Sequence, residues 1–268
     1  SADPSVRPIG VFDSGVGGLT VFRALRRALP LERLVYLGDT ARVPYGTKSK
    51  EAVTRYSLEI GRFLERRGVK HVVVACNTAT ALALPALVRA LRVPVTGVVE
   101  PAVRAARAAT RSGVVGVIGT EPTVASGAYR RAGDRSGARG RMRAAACPLF
   151  VPLVEAGWWG HAVTRAVARE YLRPLLRAKP DALILGCTHY PLLKSVLARA
   201  AGPRVALIDS GTETAAEVRA SLAAAGLLRR AGRGGEEFFV TDGPERFKRL
   251  ARRFLGRAVT ARVVRFPG

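Results

Sequence analysis

Two short apolar runs constrain this chain more than anything else in it. Val72-Val73-Val74-Ala75 stops at Cys76-Asn77-Thr78, and Leu183-Ile184-Leu185-Gly186 stops at Cys187-Thr188-His189-Tyr190-Pro191. Runs this short, bounded by residues that can start a helix, read as strands of a parallel sheet covered on both faces, where no polar alternation is needed. Ligands of such sheets bind beyond the carboxyl ends of the strands. Each run therefore presents a thiol at the edge where a site forms. A device that occurs twice predicts two acids or bases facing each other.

Composition narrows the class. With 268 residues, 48% of them hydrophobic, the chain can form two modest α/β domains or one large one with ample core. No apolar run approaches the ~20 residues of a membrane span. The stretch 1–7 lacks the apolar centre of a signal peptide, so a cytoplasmic location is expected. The three cysteines, Cys76, Cys147 and Cys187, form no CxxC, which argues against a disulfide framework or a zinc ribbon and for free thiols. The 44 Lys and Arg against 20 Asp and Glu give a net charge of +24, which raises nucleic acid as a partner. Most arginines, such as Arg23, Arg62, Arg199 and Arg219, are dispersed over predicted helix surfaces, with denser groups at 229–233 and 246–257. Few aromatic residues interleave with them, so a solvated surface is the preferred reading and nucleic acid the minor one.

In chain order, strands are predicted over 8–13, 34–38, 71–75, 94–99, 113–118, 142–147, 182–185, 205–209, 238–241 and 261–265, with helices between most of them. This alternation implies right-handed parallel crossovers. The loop Ser14-Gly15-Val16-Gly17-Gly18 matches neither GxGxxG nor a P-loop, which disfavours a nucleotide and leaves Asp13 and Ser14 for polar recognition. The loop around Pro44-Tyr45-Gly46 carries turn chemistry and can close over a ligand. Thr120 and Thr123 are helix caps or ligand hydroxyls ahead of a helix over 124–131. A loop is expected over 134–140, and Glu155 is expected on another loop. His71 reads as a surface residue, His161 has no evident task, and Cys147 reads as a small buried hydrophobe. If the C-terminal tail returns to the first sheet, the domains are 1–99 plus 210–268, carrying Cys76, and 100–209, carrying Cys187.

Taken together, Asp13-Ser14-Gly15-Val16-Gly17-Gly18, Gly38-Asp39-Thr40, Pro44-Tyr45-Gly46, Cys76-Asn77-Thr78 and Gly186-Cys187-Thr188-His189-Tyr190-Pro191 resemble the glutamate racemase family. The resemblance covers nearly the whole chain. It implies an α/β fold of two pseudo-symmetric domains with mainly parallel sheets flanked by helices, and an active site in the cleft between them. It further implies a two-base mechanism without cofactor or metal, glutamate as substrate, and D-glutamate supplied for peptidoglycan. On the same basis Asp13, Glu155 and His189 assist the cysteines in proton handling. Ser14, Pro44, Tyr45, Gly46, Asn77, Thr78, Thr120, Thr123 and Thr188 are then substrate contacts, and a homodimer is expected. Trp158-Trp159 depart from the family's usual polar residues, and would line either a dimer face or a pocket beside the cleft.

The chemistry argues in the same direction. Racemising an amino acid without an electron sink requires one group to take the Cα proton and another to return one on the opposite face. A free thiol titrates near ~8.5, so one cysteine must be ionised and the other protonated. Cys76 is assigned to the D-enantiomer, and Cys187, assisted by His189, to the L-enantiomer. Three other readings stay open from the residues. Cys76, Cys187 and His189 could ligate zinc, although a closed site wants four ligands. A thiol redox pair normally lies closer in sequence. An aspartate or hydantoin racemase would share the paired cysteines, though the wording around Pro44-Tyr45-Gly46 and Cys187-Thr188-His189 favours glutamate.

Overall fold

The structure, a computed structural model, describes residues 3–135 and 141–266. The chain runs β1 (Ile9–Asp13), α1 (Leu19–Ala28), β2 (Arg33–Gly38), α2 (Lys50–Arg66), β3 (His71–Val74), α3 (Asn77–Ala90), β4 (Val95–Gly97) and α4 (Val99–Ala109). The alternation then restarts with β5 (Val114–Gly119), α5 (Glu121–Ala125), α6 (Ala128–Arg135), β6 (Arg141–Ala146), α7 (Phe150–Ala156), α8 (Ala162–Leu176), β7 (Ala182–Gly186), α9 (Lys194–Ala201) and β8 (Ala206–Asp209). It ends with α10 (Ser210–Ala224), β9 (Gly235–Val240), α11 (Pro244–Leu255) and β10 (Ala261–Val263).

These strands form two sheets, a six-stranded one ordered β10-β9-β2-β1-β3-β4 and a four-stranded one ordered β6-β5-β7-β8. Every pairing is parallel. Within each sheet the first four strands in sequence take the order second, first, third, fourth, so the architecture is repeated. The first strand of each set has neighbours reached by connections running in opposite directions, and a crevice opens at its carboxyl end for that reason. Cys76 follows the third strand of one set and Cys187 the third strand of the other. The tail returns to the first sheet, where β9 pairs with β2 through Tyr36 opposite Phe238.

The strands are apolar because they are covered on both faces, and β1, β3, β5 and β7 are buried along their whole length. Coverage explains one departure from expectation. His71 opens β3, an interior strand between β1 and β4, so it is buried rather than on the surface. Its Nε2 pairs with Thr96 Oγ1 at 2.9 Å, and burial pushes the imidazole down to about 4.

Other boundaries shift for local reasons. The strand expected over 94–99 is shortened to β4, and Glu100 and Pro101 fall in the first turn of α4, where proline lacks no needed donor. The helix expected over 124–131 is broken at Gly127, whose φ of 66° separates α5 from α6. Asp134 lies in α6, and the rest of the loop expected there, 136–140, falls outside the described residues. Glu155 is on the last turn of α7, which Gly157 ends with a φ of 82°. His161 caps α8, its Nδ1 accepting from Val163 N at 3.2 Å. Cys147 is fully buried, as expected. Among the described residues no helix is long and apolar enough to cross a membrane.

Candidate active site

The site is assembled from strand ends. Asp13 closes β1, and the glycine loop after it is drawn tightly over the sheet. Gly15 N donates to Asp13 Oδ2 at 3.0 Å, and the Tyr36 hydroxyl donates to Gly15 O at 2.8 Å. A Cβ on Gly17 would lie 2.2 Å from Thr188 Oγ1 and 2.5 Å from His189 Cε1. Glycine is needed here because the loop of one sheet touches the Cys187 segment of the other. Thr20 Oγ1 donates to Thr188 O at 2.8 Å across the same seam.

Cys76 is the N-cap of α3, where its Sγ accepts from Ala79 N at 3.4 Å. Burial pushes this thiol up to about 12, the Asp13 carboxylate adds to the rise, and donors from Ala79 and Ser14 oppose it. Burial also raises Asp13, against the pull of a charged His189. Its Oδ1 has no partner among the described residues. Asp13 is thus a carboxyl group able to hold or release a proton beside Cys76.

Cys187 has a different neighbourhood. His189 Nδ1 lies 3.9 Å from its Sγ and 3.4 Å from Thr188 Oγ1, while His189 Nε2 lies 3.2 Å from Glu155 Oε1. Arg246 Nη2 donates to Glu155 Oε2 at 3.0 Å. Burial alone would strip His189 of its proton, but its bonds to Cys187 and Glu155 outweigh burial and raise it to about 10. The bond to His189 in turn lowers Glu155, against burial. A thiol, an imidazole and a carboxylate thus follow one another, an arrangement that can hold or pass a proton beside Cys187.

Both cysteines open on one cavity of about 390 Å³. Of the residues expected from sequence, Ser14, Pro44, Tyr45, Gly46, Cys76, Asn77, Thr78, Thr120, Glu155, Cys187, Thr188 and His189 line it. Asp13 and Thr123 stand behind the wall. Thr123 supports the two cavity hydroxyls next to it, with Oγ1 atoms 3.2 Å from Thr78 and 2.9 Å from Thr120. Tyr45 contributes its ring and backbone rather than its hydroxyl, which donates to buried Asp39 at 2.5 Å. Neither tryptophan lines the cavity: Trp159 Nε1 donates to Val154 O at 2.9 Å, and Trp158 stacks on His161 at 4.4 Å. A larger open groove of about 670 Å³ lies between α1 and α10 and touches neither cysteine. Among the described residues no three His, Cys, Asp or Glu side chains are grouped to hold a metal ion.

Sequence reasoning missed Arg246, along with the apolar wall of Val43, Val151 and Pro152. Arg246 opens the dense basic stretch 246–257, and nothing in the sequence distinguishes it from its solvated neighbours. Its position on α11 was the only usable signal, since a helix starting after β9 begins at the carboxyl edge of the first sheet.

The family model described as Asp/Glu/Hydantoin racemase matches residues 9–218. A glutamate racemase of Geobacter metallireducens is 54% identical over 251 residues, covering 93% of each chain. The solved structure of a glutamate racemase isoform from Bacillus anthracis superposes with a TM-score of 0.95 at 40% identity, covering 97% of this chain and 98% of that one. A Francisella tularensis glutamate racemase solved in complex with D-glutamate superposes with a TM-score of 0.91 at 35% identity, over 97% and 98% of the two chains. Matched along most of its length by the family model and by relatives this similar, the chain belongs to the Asp/Glu/Hydantoin racemase family, as an amino-acid racemase of the glutamate racemase branch.

Proposed function

We propose that the protein interconverts L- and D-glutamate by a two-thiol, two-base mechanism that uses no resident cofactor. One observation carries this reading. Cys76 and Cys187, each following the third strand of its own sheet, open on a single cavity. A substrate carbon held between them can lose a proton on one face and gain one on the other. The relative solved with D-glutamate bound supports glutamate as the substrate. The rings of hydroxyl and amide groups at Ser14, Asn77, Thr78, Thr120 and Thr188 suit a ligand with an ammonium and two carboxylates.

The two halves are read as 1–99 with 210–268 and as 100–209, and they carry unlike bases. In the direction from L-glutamate, Cys187 beside protonated His189 acts as the base and Cys76 as the acid. L-Glutamate then gives its Cα proton to Cys187 while Cys76 delivers a proton to the opposite face. In the reverse direction Cys76, served by Asp13, takes the proton from D-glutamate. Glu155 orients His189, and the hydrogen-bond donors around the cavity hold the carboxylate on which charge develops. The product supplies peptidoglycan synthesis in the cytoplasm, as the family resemblance implies.

In deuterated water, early turnover is expected to place deuterium at Cα of the product and leave the remaining substrate unlabelled. Circular dichroism should show that Cys76→Ala and Cys187→Ala each lose about 10³-fold in racemisation rate. Equal early labelling of substrate and product would mean one shared base and would overturn the two-thiol reading.

A further inference from the structure

Tyr129, on α6, touches the immediate neighbours of both cysteines without lining the cavity itself. Its hydroxyl accepts from Asn77 Nδ2 at 2.8 Å, and Asn77 follows Cys76. Its ring lies against Gly186, which precedes Cys187: a Cβ added to Gly186 would come within 3.2 Å of both Tyr129 Cε2 and its hydroxyl oxygen. Ser210 Oγ, at the start of α10, donates to Leu185 O at 3.1 Å, which holds the same strand end from the other side. One buried phenol therefore joins the start of α3 to the end of β7. A phenylalanine would fill the same volume, but it would leave the buried amide of Asn77 without this acceptor.

We propose that Tyr129 is a positioning residue that fixes how the two thiols approach the substrate carbon, by tying Asn77 to the Gly186-Cys187 strand end. The inference rests on the two-thiol reading above. Tyr129 does not line the cavity, so its loss acts through the placement of Asn77 and Cys187 rather than through a contact of its own with glutamate. Misplacement of reacting groups by even ~1 Å is costly to the chemical step. Enantiomers have equal free energy in water, so any loss in kcat/KM must also be the same in both directions.

The test is steady-state kinetics on Tyr129→Phe, Asn77→Ala and the double variant, with L- and D-glutamate as the substrates. Tyr129→Phe is expected to lower kcat about tenfold with KM within about twofold of wild type. In the Asn77→Ala background it should cost nothing further, because the hydroxyl acts through that amide. Asn77→Ala alone removes the partner of the hydroxyl while sparing the ring packing on Gly186, and should lower kcat about tenfold even if Tyr129→Phe proves unstable. Wild-type kcat in the variants, a change confined to KM, or multiplicative losses in the double variant would each reject the role. Should Cys76→Ala or Cys187→Ala remain active, the two-thiol reading falls instead, whatever Tyr129→Phe shows.

Discussion

The charge on a single residue, His189, makes the two thiols unlike. Burial works against the imidazolium, and its bonds to Cys187 and Glu155 hold the proton regardless, up to about 10. Cys76 meets the opposite balance, with burial and Asp13 together driving the thiol to about 12. The folded value of His189 lies above its ordinary 6.5, so the stability it contributes is complete below that value and is lost as pH rises towards about 10. On the two-thiol proposal the rate should follow the same limb, since loss of the proton removes the charged partner of Cys187. A pH profile of kcat/KM is expected to fall towards about pH 10 in the wild type and to lose this limb in His189→Asn, which should also be about 10²-fold slower near neutrality. The same limb persisting in His189→Asn would show that another group sets it. Cys76 and Cys187 were legible in the sequence because a thiol directly after an apolar run is uncommon. The burial of His71 was not, since it depends on β3 being flanked on both sides.

At the level of elements, α7 and α11 close one side of the cleft from opposite sheets. Glu155 on α7 receives two arginines of α11, Arg246 on its carboxylate and Arg253 on its backbone carbonyl at 2.7 Å. Val154-Glu155-Ala156-Gly157 reads like a turn in sequence, yet Glu155 falls inside the seven-residue α7, which Gly157 ends. Arg246 is largely exposed, so its pairing is screened by water and salt. Its effect should thus be felt mainly through the anionic substrate and the orientation of Glu155. Arg246→Ala is expected to lower kcat/KM about tenfold at low salt. It should also flatten the dependence of kcat/KM on ionic strength between about 0.05 and 0.5 M. Equal salt slopes for the two proteins would remove the electrostatic part of this argument.

For the whole molecule, strand and helix alternation made the repeated α/β plan readable, because each buried parallel strand is a short apolar run in its own right. Which sheet the tail joins depends on β9 finding β2 about two hundred residues earlier, and no local pattern fixes such a pairing. A buried ion pair secures that return at the end of the sheet away from the cleft. Lys70, just before β3, donates from Nζ to Glu32 Oε2 at 2.6 Å, to Ser5 O at 2.6 Å and to Leu227 O at 2.8 Å. Glu32 Oε1 accepts from Arg229 N at 2.9 Å. The N-terminal segment, the amino ends of β2 and β3 and the link from α10 to β9 are thus joined at one point, with every proton of the ammonium used. Lys70→Met leaves Glu32 buried and unpaired, and should lower the unfolding free energy in urea by about 3–5 kcal/mol. Replacing both members, Lys70→Met with Glu32→Leu, should recover most of that loss, since the cost lies in the stranded charge rather than in the missing pair. Both variants should keep wild-type kcat while folded, because the pair lies at the amino ends of the strands and the thiols at the carboxyl ends. A double variant no more stable than Lys70→Met would instead place the stabilisation in the backbone bonds from Nζ to Ser5 and Leu227.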